Sequence, residues 1–198
     1  MAYPTVSGPY GFQPINRVDG MPYAGATRTY AIASNYNTPI FNGDLVILVT
    51  GGTIEKFTGT DSGFPLGVFM GCEFTNAQGQ RLNGQYYAGT SMTNATAKIV
   101  VDDQAAYKVV STNGSSVVTP STLASIGSNM EIVQGSGNTT TGNSGMSVEA
   151  GTEATTDTFV IRVIDVVTAT SYIENSVVVF PELVVKINVS QFNRPTGV

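Results

Sequence analysis

The chain has 198 residues, of which 41% are hydrophobic and only 12% charged, and its net charge is −5. That length and apolar share suit one domain with a real core and an arm, with roughly 70% of the unfolded chain's surface buried on folding. An acidic balance with no basic run argues against a nucleic-acid partner, the lack of a ~20-residue apolar stretch against a membrane helix, and the absence of histidine with a single cysteine against the commonest general base and any zinc cluster.

The start, Met1-Ala2-Tyr3-Pro4, has no basic or apolar signal region, so synthesis in a cytoplasm without secretion is the expectation. Residues 1–27 carry Pro4, Pro9, Pro14 and Pro22 with Gly8, Gly11, Gly20 and Gly25. Proline at this density forbids a helix and interrupts a central strand. Tyr3, Tyr10, Phe12, Ile15 and Tyr23 lie among them, too many apolar rings and chains for a solvated linker. The segment reads as an extended arm whose aromatics dock either on a partner or back on the arm's own domain.

From Arg28 the pattern turns to strands. Residues 28–33 form the first, and a three-stranded meander follows across residues 40–72, with Gly43-Asp44 as a turn before Leu45-Val46-Ile47-Leu48-Val49 and Gly51-Gly52 as a hairpin turn. The run 45–49 does not alternate with polar residues, so both of its faces need cover, from the chain itself or from a neighbouring subunit. Residues 76–96 are polar, with Tyr86-Tyr87 near their end, and strands follow at 97–101 and 105–110 around Asp102-Asp103. Thr119-Pro120 reads as a helix start that Gly127 stops. A short strand at 130–133, an exposed, mobile loop at 135–145 and an edge strand at 147–149 come next. Two alternating strands close the domain: 157–167, with Phe159, Ile161, Val163 and Val167 on one face, and 183–189, with Val185, Ile187 and Val189 inward. Residues 191–198 read as a polar tail. About ten short strands and almost no helix predict an all-β fold, a single antiparallel β-barrel or sandwich at 28–190 behind the arm at 1–27.

No phosphate loop, dinucleotide fingerprint or nucleophile elbow is present. Asp102-Asp103 is the sharpest acidic pair, but neighbours on a strand point to opposite faces, and a solvated hairpin turn is the simpler reading. The lone Cys72 sits in an apolar strand and reads as a buried thiol. No catalytic residues, cofactor or metal are expected.

Tyr10-Gly11-Phe12-Gln13-Pro14-Ile15-Asn16-Arg17-Val18-Asp19-Gly20, Pro22-Tyr23-Ala24-Gly25-Ala26, Tyr30-Ala31-Ile32-Ala33, Ile40-Phe41-Asn42-Gly43-Asp44-Leu45-Val46, Leu66-Gly67-Val68-Phe69-Met70-Gly71-Cys72 and Val100-Val101-Asp102-Asp103 together resemble a family of tailed-bacteriophage capsid cement, or decoration, proteins from marine and freshwater phages. The likeness spans residues 10–110, is looser in the last third, and departs at residues 76–89. It implies a non-enzymatic virion protein on the capsid exterior whose partner is the phage major capsid protein. The expected capsid-binding residues are Tyr3, Tyr10, Phe12, Ile15, Arg17 and Tyr23. The alternative is a head-fibre or tail attachment protein that binds cell-surface glycan at residues 76–89 through Tyr86 and Tyr87. The two-faced run at 45–49 and the second apolar run, Ser176-Val177-Val178-Val179-Phe180, predict self-association through Val46, Leu48, Val178 and Phe180, with a homotrimer first and a dimer second.

Overall fold

The computed structural model describes residues 6–61, 63–89, 91–113, 123–170 and 180–193. Among these are twelve strands, many of them runs of β-branched and aromatic residues. β1 (Gln13–Arg17) lies in the expected arm. β2 (Arg28–Ile32), β3 (Leu45–Val49), β4 (Thr53–Lys56), β5 (Gly67–Thr75), β6 (Arg81–Gly84) and β7 (Thr93–Val100) make one sheet. β8 (Ala105–Thr112), β9 (Asn129–Val133), β10 (Ser147–Ala154), β11 (Ile161–Val166) and β12 (Glu182–Ile187) join β1 in a second. The fold is all-β, as expected. A 3-10 turn, Leu123–Ser125, stands where a short helix was expected; the expected cap at Thr119 and Pro120 lies outside the described residues.

Each sheet closes on itself like a barrel. In the N-terminal one the order β3-β4-β2-β7-β5 returns to β3 through Leu45↔Val68 and Val46↔Gly67. In the C-terminal one β8-β10-β9-β11-β12 returns to β8 through the pairs from Glu182↔Val110 to Val185↔Tyr107. A long strand holds two partners in tandem along one edge in both. β5 pairs with β3 at its start and with β6 from Cys72 onward. β8 pairs with β1 over residues 105–108 and with β10 at Ser111 and Thr112. Most pairings are antiparallel as predicted, but β2–β4 and β8–β10 are parallel, which corrects the purely antiparallel expectation.

Alternation in β3 explains how its unbroken apolar run is buried. Leu45 and Ile47 enter the core between the two sheets, with Phe57, Val68 and Val100 from the same side and Tyr107, Ile161, Leu183 and Val185 from the other. Val46 turns the opposite way, into the interior of the N-terminal barrel, with Ile32, Ile54, Phe69, Cys72, Ala97 and Ile99. Both faces of β3 are therefore covered by the chain itself. In β11 a register shift between Val163 and Asp165 changes the phase, so Val166 is the buried residue in place of the expected Val167. The loop at 135–145 is exposed at residues 138–141, as expected, while its ends are packed. A Cβ on Gly135 would lie 1.8 Å from the Gly145 carbonyl oxygen, and one on Gly137 would overlap the Phe41 ring, so the loop is folded on itself and pressed against the N-terminal barrel.

Asp44 sits where the two barrels meet and is wholly buried. Its Oδ2 accepts the Phe41 N–H at 2.8 Å and lies 3.2 Å from Lys56 Nζ, while its Oδ1 accepts the Ser144 hydroxyl at 2.5 Å. A buried carboxylate is tolerated only with such a complete set of partners. Asp44→Ala leaves Lys56 unpaired and Ser144 and Phe41 without their acceptor, and is expected to lower stability by about 3–5 kcal/mol in urea unfolding.

Cys72 is 2% exposed, and burial pushes its thiol up to about 11 despite the opposing influence of Lys98. The folded thiol holds its proton more tightly than the unfolded one, whose ordinary value is 9.0. This group's contribution to stability is thus full below pH 9 and lost as pH climbs to about 11. Urea midpoints of wild type and Cys72→Ala, measured across that window, should converge as the pH rises.

Candidate functional site

Of the two readings of the arm, docking on a partner or back on its own domain, the described part follows the second and is largely built into the domain. Gly11, at φ +80°, brings the chain so close to Gly43 and Ser144 that a Cβ would lie 2.5 Å from the Ser144 Cβ. The Phe12 N–H then donates to the Gly43 carbonyl at 2.9 Å, and the Phe12 ring is fully buried, edge-on to Tyr107 at 6.3 Å. Phe12 therefore belongs to the core and is corrected as a capsid-binding residue. Tyr10 is half-buried and also faces its own chain. Its hydroxyl donates to the buried Glu182 carboxylate, which Lys108 Nζ approaches at 3.0 Å, and the same ammonium lies 5.7 Å from the centre of the Tyr10 ring. Burial, then the hydrogen bond and charge of Glu182, raise the Tyr10 pKa far above its ordinary value. Tyr23 packs against the core while its hydroxyl donates to the Ala26 carbonyl at 2.8 Å. Tyr3 lies outside the described residues.

What remains on the surface is the hairpin that β1 begins. A register shift leaves Ile15 as the extra residue between Pro14↔Tyr107 and Asn16↔Ala106, and a bulge of this kind re-aims a side chain. Ile15 is 37% exposed. The turn closes with the Gly20 N–H on the Arg17 carbonyl at 3.0 Å and the Arg17 N–H on Met21 at 2.8 Å, with Gly20 at φ +83°. Val18, 37% exposed, stands in that turn, and Met21, 60% exposed, follows it. Arg17 is the ionic centre of the hairpin, 3.4 Å from Asp19 and 3.5 Å from Asp102. Both pairs are long and partly exposed, so they orient Arg17 more than they stabilise it. Two adjoining clefts of about 400 and 310 Å³ share Arg17, Ala26 and Asp102 in their linings.

Of the expected capsid-binding residues, Ile15 and Arg17 lie on this surface; Val18 and Met21 share it but are not among those expected, since the expectation rests on aromatics in an extended segment. The signal that would have found them is Asp19-Gly20, a hairpin turn dipeptide that puts its neighbours at a tip.

The expected self-association residues fare differently. Val46 is fully buried inside the barrel and offers nothing to a second copy. Leu48 is half-buried, and its backbone is already taken: the Gln191 side-chain amide accepts from the Leu48 N–H at 2.6 Å and donates to the Leu48 carbonyl at 2.7 Å. That glutamine, 7% exposed, continues the edge of β3 where β5 has left it, so the expected polar tail begins as part of the fold. Phe180 is half-buried and Val178 lies outside the described residues. With both faces of β3 packed against the chain itself, β3 leaves no bare apolar face that calls for a second copy.

Tyr86 and Tyr87, through which the alternative attachment protein would bind glycan, are packed on the barrel. Tyr87 is fully buried, stacked on Tyr36 at 6.3 Å, and its hydroxyl donates to the Tyr36 carbonyl at 2.7 Å. Tyr86 lies parallel to Phe41 at 5.2 Å. Asp102 and Asp103 form the expected turn and point to different partners: Asp102 accepts the Gln104 N–H at 2.8 Å and Asp103 the Ser190 hydroxyl at 2.6 Å. Among the described residues no three acidic or thiol side chains converge as they would around a metal ion, and no helix is long and apolar enough to cross a membrane. Comparison with known protein families, with curated proteins and with solved structures finds no match.

Phe12 decides whether residues 2–25 are an appendage or part of the domain. Phe12→Ala is expected to cost about 3–5 kcal/mol of stability in thermal or urea unfolding. Deletion of residues 2–25, which also removes β1, should yield an unfolded or aggregated chain by circular dichroism rather than a folded domain lacking an arm.

Proposed function

We propose that this chain is a structural virion protein that binds the outside of a tailed-phage capsid lattice and cements the major capsid protein shell. The observation that carries the reading is the β1 hairpin, which presents Ile15 to solvent from a strand paired to β8 and Val18 and Met21 from the turn that strand leads into. Exposed apolar side chains on a fixed element lose little conformational freedom on docking, so more of their burial appears as affinity. Arg17 in their midst supplies a planar donor for a partner carboxylate or carbonyl. The resemblance of residues 10–110 to capsid cement proteins supports the same reading. Cementing then follows from linkage: a protein that binds only the assembled shell raises the stability of that shell.

Val18→Asp and Met21→Asp, alone and together, test the reading. Both side chains are exposed, so folding stability should stay within about 0.5 kcal/mol of wild type. Co-sedimentation with expanded capsid shells of the parent phage should weaken by roughly tenfold or more, the scale of a central interface contact. Unchanged binding by the double variant would remove the hairpin as the docking element.

A further inference from the structure

A second concave surface lies on the seam between the barrels, away from the β1 hairpin. The loop joining β4 to β5 forms one wall, and β9 with residues 158–160 forms the other, around a cleft of about 390 Å³. That volume falls within the roughly 300–1,000 Å³ of small-molecule sites, which favour seams between folded units. Phe57 closes the floor and is 1% exposed, while Phe64 and Phe159 stand half-buried in the lining.

Both walls are held in place without a ligand. Asp61 Oδ2 accepts the Thr58 N–H at 2.6 Å and the Thr58 hydroxyl at 2.8 Å, which folds the loop over itself. Gly63 seats the loop where a Cβ would meet Ile47 Cδ1 at 2.8 Å, and Gly59, at φ +81°, would meet Ile132 at 3.1 Å. Opposite, the Asn188 amide donates to the Phe159 carbonyl at 3.1 Å and the Asn188 N–H to the Val160 carbonyl at 2.8 Å. Gln134 donates to the Phe57 carbonyl at 2.9 Å and joins the two walls.

The lining combines apolar rings with oxygen-bearing groups. Asp61 brings a carboxylate whose Oδ2 takes the loop's own bonds, and Glu131 brings a second carboxylate at the exposed rim. Thr158 adds a hydroxyl that donates or accepts, while the Thr58 and Thr60 hydroxyls, whose protons are used within the loop, add acceptors. Among the described residues no lysine or arginine lines the cleft, which disfavours phosphate, sulfate or carboxylate ligands. A molecule with a C–H face for phenyl rings and a rim of hydroxyl donors matches this lining. We infer that the cleft between the 57–64 loop and Phe159 is a binding site for a neutral saccharide, with Phe64 and Phe159 against the sugar ring and Asp61 and Glu131 accepting from its hydroxyls.

The test is an amide-resolved NMR titration of the full chain with maltotriose, cellotriose and chitotriose, beside spermidine as an organic cation and sialyllactose as an anionic sugar. At least one neutral trisaccharide should give saturable shifts confined to residues 57–64, 131–132 and 158–160, with a dissociation constant in the millimolar range. Phe159→Ala should weaken that binding at least about fivefold, the scale of one aromatic contact. Glu131→Gln alters an exposed side chain and keeps the test open if the first variant unfolds; it too should weaken binding. The inference is overturned if none of the three neutral sugars gives saturable shifts, if the shifts map elsewhere, if only spermidine or only sialyllactose binds, or if a folded variant binds as the wild type does.

Discussion

The Asp44 carboxylate is the constraint from which much of this architecture follows. A buried negative charge must find partners, and here they come from separate parts of the chain: Phe41 just before it, Lys56 on β4, and Ser144 at the entrance to β10. Meeting that demand draws residues 142–144 of the C-terminal half against residues 41–44 of the N-terminal half. The contact is then extended by backbone bonds from Asn42 to Gly142 at 3.0 Å and from Ser144 to Asn42 at 2.8 Å. The polar knot thus adds directional bonds to the apolar packing between the two barrels, and both fix how the barrels meet.

The same knot decides the path of the first residues. Gly43, at φ +92°, presents its carbonyl to Phe12, and Gly11 passes where no side chain fits beside Ser144. Once Phe12 is placed against Tyr107, the chain must run along β8, and β1 forms despite Pro14. Proline is accepted there because β1 lies at an edge of its sheet, where a missing N–H need not interrupt a ladder on both sides. The bulge at Ile15 is where this strand gives up regular alternation, and it is also where an apolar side chain reaches solvent.

These features set what was legible in the sequence. The β3–β4 hairpin was readable because Gly51 and Gly52 announce positive φ, which both adopt, at +107° and +78°. The barrel class was readable from alternation in strands such as β12, whose Leu183, Val185 and Ile187 are buried. The two-faced burial of β3 was also readable, but its cause was not: a run of apolar residues says that two faces are covered and not by what. Docking of Tyr10 on Glu182 spans 172 positions, and no local pattern announces it. The parallel pairings of β2 with β4 and β8 with β10 are equally non-local. The seam cleft draws on residues about a hundred positions apart, and each of its walls alone is an ordinary loop.

Closure of both barrels restricts how this protein can meet another. A closed sheet has no free edge to template pairing with a second chain. Among the described strands, β1 and β6 are the two appended outside the rings. β1 carries Pro14, and Pro22 folds back against Asn16, so its outer edge is short and interrupted. β6 is four residues long, with Arg81 held to the Asn94 carbonyl at 3.1 Å and near Glu73 at 3.5 Å, a charged edge that resists strand addition. Among the described strands, backbone-mediated assembly is therefore hindered at both places, which leaves side chains as the means of contact there. Side-chain recognition favours fixed apolar groups with a polar donor among them, and in this fold that combination occurs on the hairpin that Asp44 and Phe12 hold in place.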